Sequence, residues 1–579
     1  MDYQFGSYRL DTRERRLLKN GKPVALTPKA FDTLLTLVSH RGRLLGKDDL
    51  LKTVWPNAFV EESSLARNIS VLRKVLHDEA RQPRFIETVS GRGYRFVGDV
   101  SESTEPSVAV RAGTIPAVAV LPFTPAGHGQ GESFLGLGLA ESLITRLARL
   151  KRFVVRSTSA VGRYEDCHDC VSAGRTLHVD WVVRGFTRVA GDRLRVTVQL
   201  VHVEDGAIAW AEKFDGRADD TFAIEDAIAE RVADALTDTL TVADRSRLSR
   251  HHTDSPEAHR LYLMGRHYWN KRTEESLRQA IDCFNKALAA DPGYALAYAG
   301  MADAYTLLGS YSYGHVYPRD VMPLARAAAA RALEIDDELA EPTTSLAFIK
   351  FRYEWDWAEA ERLFRRALEL DPHYATARQW LAFFLATQER FDEALAEIRR
   401  ARELDPVSLP IATGAGRLLY FAERYDEAVE ACRLAIALDS TFAGAHLDLG
   451  IVYEQLGQYD AAIAEFHEAL DVSGGSPVVL AQLGHAYGMS RRIAEARRVL
   501  QQLVEISTRL YVAPFDWAIL HIALGEMEAA LGRLNEAWNE RSSSLVFLKV
   551  ERSFAPLYNE PRFQALLRRI GLPASSDPH

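Results

Sequence analysis

The side chains with the clearest chemical potential share one face of a helix expected over 61–77. Leu65, Ile69, Leu72 and Leu76 recur there at helical spacing and make an apolar stripe. With that stripe turned inward, the opposite face presents Ser64, Arg67, Asn68, Val71 and Lys74, flanked by Ser63, Ser70 and Arg73. Arg and Asn can each bond two atoms of a base edge, valine can meet a thymine methyl, and serine and lysine suit phosphates. Farther on, Arg92 stands between two glycines in Ser90-Gly91-Arg92-Gly93, a hairpin tip from which it can reach a minor groove or the backbone. The pattern points to contact with double-stranded nucleic acid. An ordinary solvated helix face would carry similar residues, so the surrounding elements must decide.

Other constellations are weaker. Cys167-His168-Asp169-Cys170 is a Cys-x-x-Cys with His178 nearby. Thiol–disulfide exchange needs such a pair at a helix start, after the first strand of a βαβ unit, to lower one thiol's pKa. Here the pair reads as part of a loop. A zinc site would need a second ligand pair, which the sequence does not offer. Gly127, Gly129 and Gly131 fit neither phosphate-binding glycine pattern. The histidines His259, His267, His446, His467 and His485 are scattered and read as surface or helix-packing residues. No catalytic residue, metal ligand or cofactor is assigned, and no enzyme activity is expected.

The elements that must position the polar face follow from the first 98 residues. Tyr8 to Leu10, Arg16 to Leu18 and Val24 to Leu26 read as short strands, with Asn20-Gly21 as a hairpin turn. Thr27-Pro28 reads as a helix cap and first residue, followed by the stripe Phe31, Leu34, Leu35 and Val38. A second short helix carries Leu50, Leu51, Val54 and Trp55 and stops at Pro56. After the 61–77 helix come strands at Phe85–Val89 and Tyr94–Val97, joined by the glycine turn. Three helices closed by a β-hairpin make a winged helix-turn-helix whose last helix enters the major groove. Charge agrees. Residues 1–98 hold 18 Lys/Arg against 11 Asp/Glu, net +7, whereas the rest of the chain carries −16 of the total −9.

At this point the sequence resembles the OmpR/PhoB-type DNA-binding domain. The matching stretches are LTPKAFDTLLTLVSHRGRLLGKDDLLKTVWP (26–56), SLARNISVLRKVLHD (64–78) and IETVSGRGYRFVG (86–98), in family order. The resemblance implies an N-terminal sheet, a recognition helix near 61–77, a wing near 90–94 and binding to promoter DNA. The module starts at residue 3, so no phosphorylatable receiver is expected before it. Ser70 and Val71 occupy positions often basic in that family, so no operator sequence carries over.

Residues 99–114 are small and polar and read as a linker. Then come a strand at Val118–Leu121, a helix over about 132–150, a strand at Phe153–Arg156, a three-stranded antiparallel meander over 181–214 and a long helix over about 219–240. AVAVLPF (117–123), FLGLGLAESLITRLARL (134–150) and VVRGFTRVAGDRLRVTVQLVHVEDGAIAWAEKFDG (182–216) resemble the α/β domain of the N-terminal part of TolB. That resemblance implies a fold more than a function.

From 257 onward the chain repeats itself. KALAADP (286–292), RALEIDD (331–337), RALELDP (366–372), RARELDP (400–406), RLAIALDS (433–440) and EALDVSG (468–474) end successive helices at a period of 34 residues after one longer gap. This is the tetratricopeptide period. Repeats are expected to start near 261, 295, 340, 375, 409, 443, 477 and 511, with an insertion at Gly309–Arg319 and a capping helix over 560–572. Groove residues of such a superhelix come from the first helix of each repeat.

The reading is therefore multidomain and mainly α. A winged helix-turn-helix (α+β) spans 1–98, a linker 99–114, a small α/β domain 115–241 and a second linker 242–256. An α-solenoid of seven or eight tetratricopeptide repeats spans 257–544 and a capping segment 545–579. The module order resembles CadC-like activators without a transmembrane segment. A one-component cytoplasmic transcriptional regulator is expected. Its partners are promoter DNA, a protein or peptide in the repeat groove, RNA polymerase and a second copy in a homodimer, with no membrane. A repeat scaffold with an inoperative DNA-binding head is the alternative, and an enzyme is a third reading, either a Cys-x-x-Cys oxidoreductase at Cys167 and Cys170 or a cyclase-associated protein.

Overall fold

The computed structural model describes residues 2–6, 8–11, 16–19, 22–24, 26–54, 62–78, 83–89, 91–98, 100–103, 116–125, 133–150, 152–164, 167, 169–217, 221–237, 240–248, 252–310 and 316–572. The chain separates into two compact units, Met1–Thr114 and Ile115–His579.

The first unit opens with β1 (Asp2–Phe5), β2 (Tyr8–Asp11), β3 (Arg16–Lys19) and β4 (Lys22–Val24). It continues through α1 (Pro28–Ser39), β5 (Leu44–Gly46), α2 (Lys47–Val54), α3 (Glu62–Leu76), β6 (Ile86–Val89), β7 (Gly93–Phe96) and β8 (Ser101–Ser103). One antiparallel sheet runs β4-β3-β2-β1-β8 and a second runs β5-β7-β6. Thr27 caps α1 as expected, its hydroxyl accepting from the Ala30 amide at 3.3 Å, with Pro28 at the first helical position. The α1 stripe is wider than the sequence suggested: Leu37 is fully buried and Leu35 only partly. Phe5, Tyr8, Phe85 and Phe96 pack ring on ring with centroids 5.1–6.1 Å apart, joining both sheets in one core.

Three elements depart from the sequence reading. Lys19 pairs with Lys22 and Leu17 with Val24, so the last strand of that meander begins directly after its turn, at Lys22 rather than Val24. The turn Asn20-Gly21 itself, like Trp55 and Pro56, lies outside the described residues. Residues 101–103, assigned to the linker, form edge strand β8 on β1 with Gln4 opposite Ser101. An edge strand held by backbone bonds needs no apolar alternation, so composition did not reveal it. Lastly, β5 adds a third strand to the wing sheet. Gly93 (φ 152°) passes so close that a Cβ there would lie 1.9 Å from the Leu45 carbonyl oxygen, which requires glycine.

In the second unit come β9 (Ala117–Val120), β10 (Thr124–Pro125), α4 (Ser133–Ala148), β11 (Val154–Val155), α5 (Thr158–Val161), α6 (Cys170–Thr176), β12 (Trp181–Ala190), β13 (Arg193–His202), β14 (Ile208–Arg217), α7 (Thr221–Leu236) and α8 (Val242–Leu248). The sheet order is β11-β9-β12-β13-β14, parallel up to β12 and antiparallel beyond, with β10 also parallel on β12. The expected meander is therefore half of a mixed sheet. The short helices α5 and α6 were not expected, and α8 occupies part of the stretch read as a second linker.

Eight helix pairs follow among the described residues: α9 (Pro256–Asn270) with α10 (Glu274–Ala290), α11 (Ala295–Leu308) with α12 (Pro318–Ile335), α13 (Ala340–Ile349) with α14 (Trp357–Leu370), and α15 (Ala375–Thr387) with α16 (Phe391–Leu404). The later pairs are α17 (Leu409–Phe421) with α18 (Tyr425–Leu438), α19 (Ala443–Gln455) with α20 (Tyr459–Ser473), α21 (Pro477–Met489) with α22 (Ile493–Ser507), and α23 (Pro514–Ala523) with α24 (Met527–Asn539). Small residues let the paired helices approach: a Cβ on Gly450 would lie 2.5 Å from the Phe466 ring. No helix among the described residues is long and apolar enough to cross a membrane.

Two sets of contacts tie distant repeats together. From the insertion, Tyr317 packs against Tyr511 with ring centroids 4.3 Å apart and the rings tilted by 48°, linking the second pair to the start of the eighth; residues 311–315 lie outside the described residues. The C-terminal segment, ending in α25 (Pro561–Arg569), does more than cap the last pair. Its Phe547 ring lies 5.4 Å from Phe421 and 6.2 Å from Phe383, Glu551 accepts from the Tyr420 hydroxyl at 2.5 Å, and the Trp357 indole donates to the Ile570 carbonyl at 2.8 Å. First helices expected to line an open groove thus meet the chain's own C-terminal segment. The α/β domain is joined as firmly. Arg156 is almost fully buried and donates to the carbonyls of Leu177 (2.8 Å) and His178 (2.6 Å) in its own domain, and to those of Glu403 (3.0 Å) and Leu404 (2.5 Å) at the end of α16.

Asp516, in the first turn of α23, is 2% exposed, and burial pushes its carboxyl up to about 7. Its folded pKa lies above the unfolded value, so the folded state binds the extra proton and stability falls as pH rises from about 4 to 7. Asp516→Asn should raise the thermal midpoint at pH 8 and leave it nearly unchanged at pH 4. Equal shifts at both pH values would contradict this account.

Candidate nucleic-acid interface

The recognition surface is built from the inside out. Leu65, Ile69, Leu72 and Leu76 of α3 are each at most 2% exposed, so the apolar stripe is fully engaged and the helix cannot rotate about its axis. Tyr8 of β2 donates its hydroxyl to the Val75 carbonyl at 3.2 Å, fixing the C-terminal end of α3 to the first sheet. Just beyond that end, the buried Asp78 carboxylate accepts the backbone amides of Arg84 (2.6 Å), Phe85 (3.3 Å) and Ile86 (2.7 Å). These are the residues that lead into wing strand β6. The Asp78 amide in turn donates to the Arg73 carbonyl at 2.9 Å, so the residue that closes α3 through its backbone also leads into β6 through its side chain.

The nine residues expected to meet DNA separate into distinct environments. Arg67, Ser70, Val71 and Lys74 are exposed on α3, and Arg92 is exposed at the wing turn between Gly91 (φ 68°) and Gly93. Ser64 is half-buried. Two residues are already engaged within the fold. The Asn68 amide donates to Thr33 Oγ1 of α1 at 3.2 Å, and Arg73 Nη2 donates to the Ile86 carbonyl and to Thr88 Oγ1, both at 2.8 Å. Arg73 thus clamps α3 to β6. The side chain of Ser63 and all of Ser90 lie outside the described residues. Sequence reasoning missed Thr33, whose partner Asn68 lies 35 residues on, and Asp78, whose carboxylate captures amides six to eight residues on without any periodic pattern. The one available signal was an acidic residue directly after the helix, Asp78 following His77 at φ 52°.

The remaining constellations belong to the second unit. Cys170 is the first residue of α6, capped by Asp169, whose carboxylate accepts from the amides of Val171 (3.2 Å) and Ser172 (3.0 Å). The motif does reach a helix start, contrary to the loop expected. That helix is short, and burial pushes the Cys167 thiol up, away from the thiolate that exchange requires. His168 lies outside the described residues. Of the histidines, His485 is buried against Glu454 at 2.5 Å and His446 bonds Glu465 at 2.7 Å, both within the helix stack.

Comparison with known proteins bears on each part. Residues 21–96 match the family described as "Transcriptional regulatory protein, C terminal". The first domain is an OmpR/PhoB-type winged helix. Residues 114–231 match the second domain of HilA/YgeH-like transcriptional regulators, and residues 354–414, 413–477 and 455–509 match tetratricopeptide repeats. Transcriptional regulator HilA of Salmonella typhi is 26% identical over 391 residues, 66% of this chain and 67% of that protein. Transcriptional regulatory protein KdpE of Mycobacterium tuberculosis is 37% identical over 91 residues, 16% of this chain and 40% of that protein. The Klebsiella pneumoniae RstA DNA-binding domain, solved in complex with the RstA box, is 36% identical over 17% of this chain and 96% of that one, with a TM-score of 0.16.

In this winged helix, Asp78→Ala leaves three buried or half-buried amides without their acceptor. It should cost about 1–3 kcal/mol. It should also abolish hydrogen-exchange protection at Arg84, Phe85 and Ile86. Retained protection at those amides would contradict the clamp.

Proposed function

We propose that this chain regulates transcription by binding promoter DNA through α3 and the wing, with the second unit receiving the input. The observation that carries the reading is the division of α3: its apolar stripe is sealed in the core, while Arg67, Ser70, Val71 and Lys74 stand free on the other side with Arg92 exposed at the wing turn. A helix of that composition, presented beside a hairpin with an arginine at its tip, suits a major groove and the adjacent backbone. The matches to regulator families and the net +7 of the head support it.

In the second unit a cavity of about 690 Å³ lies where the α/β domain meets the turns between repeats, with Glu141, Arg149, Trp269, Tyr374 and Asp405 among its walls. A small-molecule signal has room there. A protein or peptide partner would use repeat surface not taken by the C-terminal segment, and contact with RNA polymerase and pairing of two copies belong to the same proposal. No catalytic step is part of it.

Gel shifts of the full chain against genomic fragments, at two salt concentrations and with competitor DNA, test the reading. Sequence-specific complexes should survive the competitor and weaken as salt rises. Lys74→Ala should weaken binding to all sequences alike and lower the salt slope by about 1. Binding equal on all DNA, or none, would assign the chain instead to scaffolding.

A further inference from the structure

The free face of α3 also limits which bases it can read, an inference that rests on the DNA-binding reading above. Asn68, by composition the natural partner for an adenine edge, is not on offer. Its amide donates to Thr33 Oγ1 at 3.2 Å, and Thr33, fully buried, in turn donates to the Lys29 carbonyl at 2.7 Å. Swinging Asn68 out to a base would break a link between α3 and α1. Of the other exposed residues, Ala66 offers a single methyl close to the backbone, Ser70 a hydroxyl that both donates and accepts, and Lys74 a flexible point charge that serves phosphate as well as guanine, so none selects a base sharply.

Two residues remain with strict preferences. The fork of Arg67 matches O6 and N7 of guanine. Val71, 36% exposed among polar neighbours, lies outside the apolar core of its own domain. Its only apolar counterpart in a major groove is the thymine 5-methyl group. The two are four residues apart, about 6 Å along the helix axis, and base pairs succeed one another every 3.4 Å or so. We infer that the DNA site of this protein is defined by a guanine and a thymine about two base pairs apart, read by Arg67 and Val71, with Asn68 a positioning residue.

The test uses the full chain. A preferred duplex is selected from a random pool, each thymine in turn is replaced by deoxyuracil, which lacks only the methyl, and affinities are measured with Val71→Ala, Arg67→Ala and Asn68→Ala. One deoxyuracil position should weaken wild-type binding about four-fold, the worth of one buried methyl, ~0.8 kcal/mol. Val71→Ala should weaken the thymine duplex and lose nothing further with deoxyuracil. Arg67→Ala should relax the choice at a guanine about two pairs away. Asn68→Ala should leave base preferences intact while lowering the thermal midpoint. The inference is overturned if every deoxyuracil duplex binds as tightly as its parent, if the methyl and Val71 effects simply add, or if Asn68→Ala erases an adenine preference. Failure of the wild type to select any duplex would instead overturn the DNA-binding reading itself.

Discussion

The surface of the first unit depends on the burial of four aliphatic side chains, Leu65, Ile69, Leu72 and Leu76. Burying each side chain is worth roughly 1.5–3 kcal/mol, so rotating α3 to present a different face would forfeit more than a small domain can spare. That constraint decides which side of α3 meets solvent. Polar contacts then refine it without competing: Tyr8 holds one end of the helix, Arg73 and Asp78 bind it to the wing, and Asn68 binds it to α1. Each of these bonds is modest, but together they leave the helix and the hairpin few independent positions. The exposed side chains of α3 are then held at a fixed spacing, because the ordering entropy has been met by folding.

Much of this was legible in the sequence because it rests on local patterns. The period of the α3 stripe, the Thr27-Pro28 cap and the glycine-bounded wing each specify structure from a few adjacent residues, and the 34-residue recurrence does so by repetition. What escaped were features created by distant pairing. β8 is polar and short, and only its partner β1 makes it a strand. The division of the polar face was legible but coarse: at 3.6 residues per turn Arg67 stands nearly opposite the stripe, whereas Asn68 flanks it about 70° away, and only the structure shows Thr33 of α1 receiving its amide. In the second unit, Tyr317 could be recognised as part of an insertion but not as the neighbour of Tyr511.

Those long-range contacts change what the repeats are physically. An open stack of helix pairs gains stability mainly from nearest neighbours and can unfold from either end. Here the insertion of the second pair touches the eighth, and Phe547, Glu551 and Ile570 reach back to helices of the third to fifth pairs. Arg156 and Ser157 secure the α/β domain to the end of α16. Loss of one pair therefore removes contacts far along the chain, and the second unit gains the cooperativity of a globular domain.

Charge adds a constraint that acts before any contact forms. The first 98 residues carry net +7 and the remainder −16, so DNA is attracted to one part of the chain and repelled by the rest. Across a Debye length of about 8 Å at physiological salt, only phosphates already near the head feel the attraction. The acidic remainder weakens non-specific association by raising the cost of every encounter that brings it close to a duplex. A winged helix with few basic residues on its reading face gains from that arrangement. Ser70 and Val71 add no cation to the exposed face of α3, so that stretch of the helix offers no charge for neutralising phosphates.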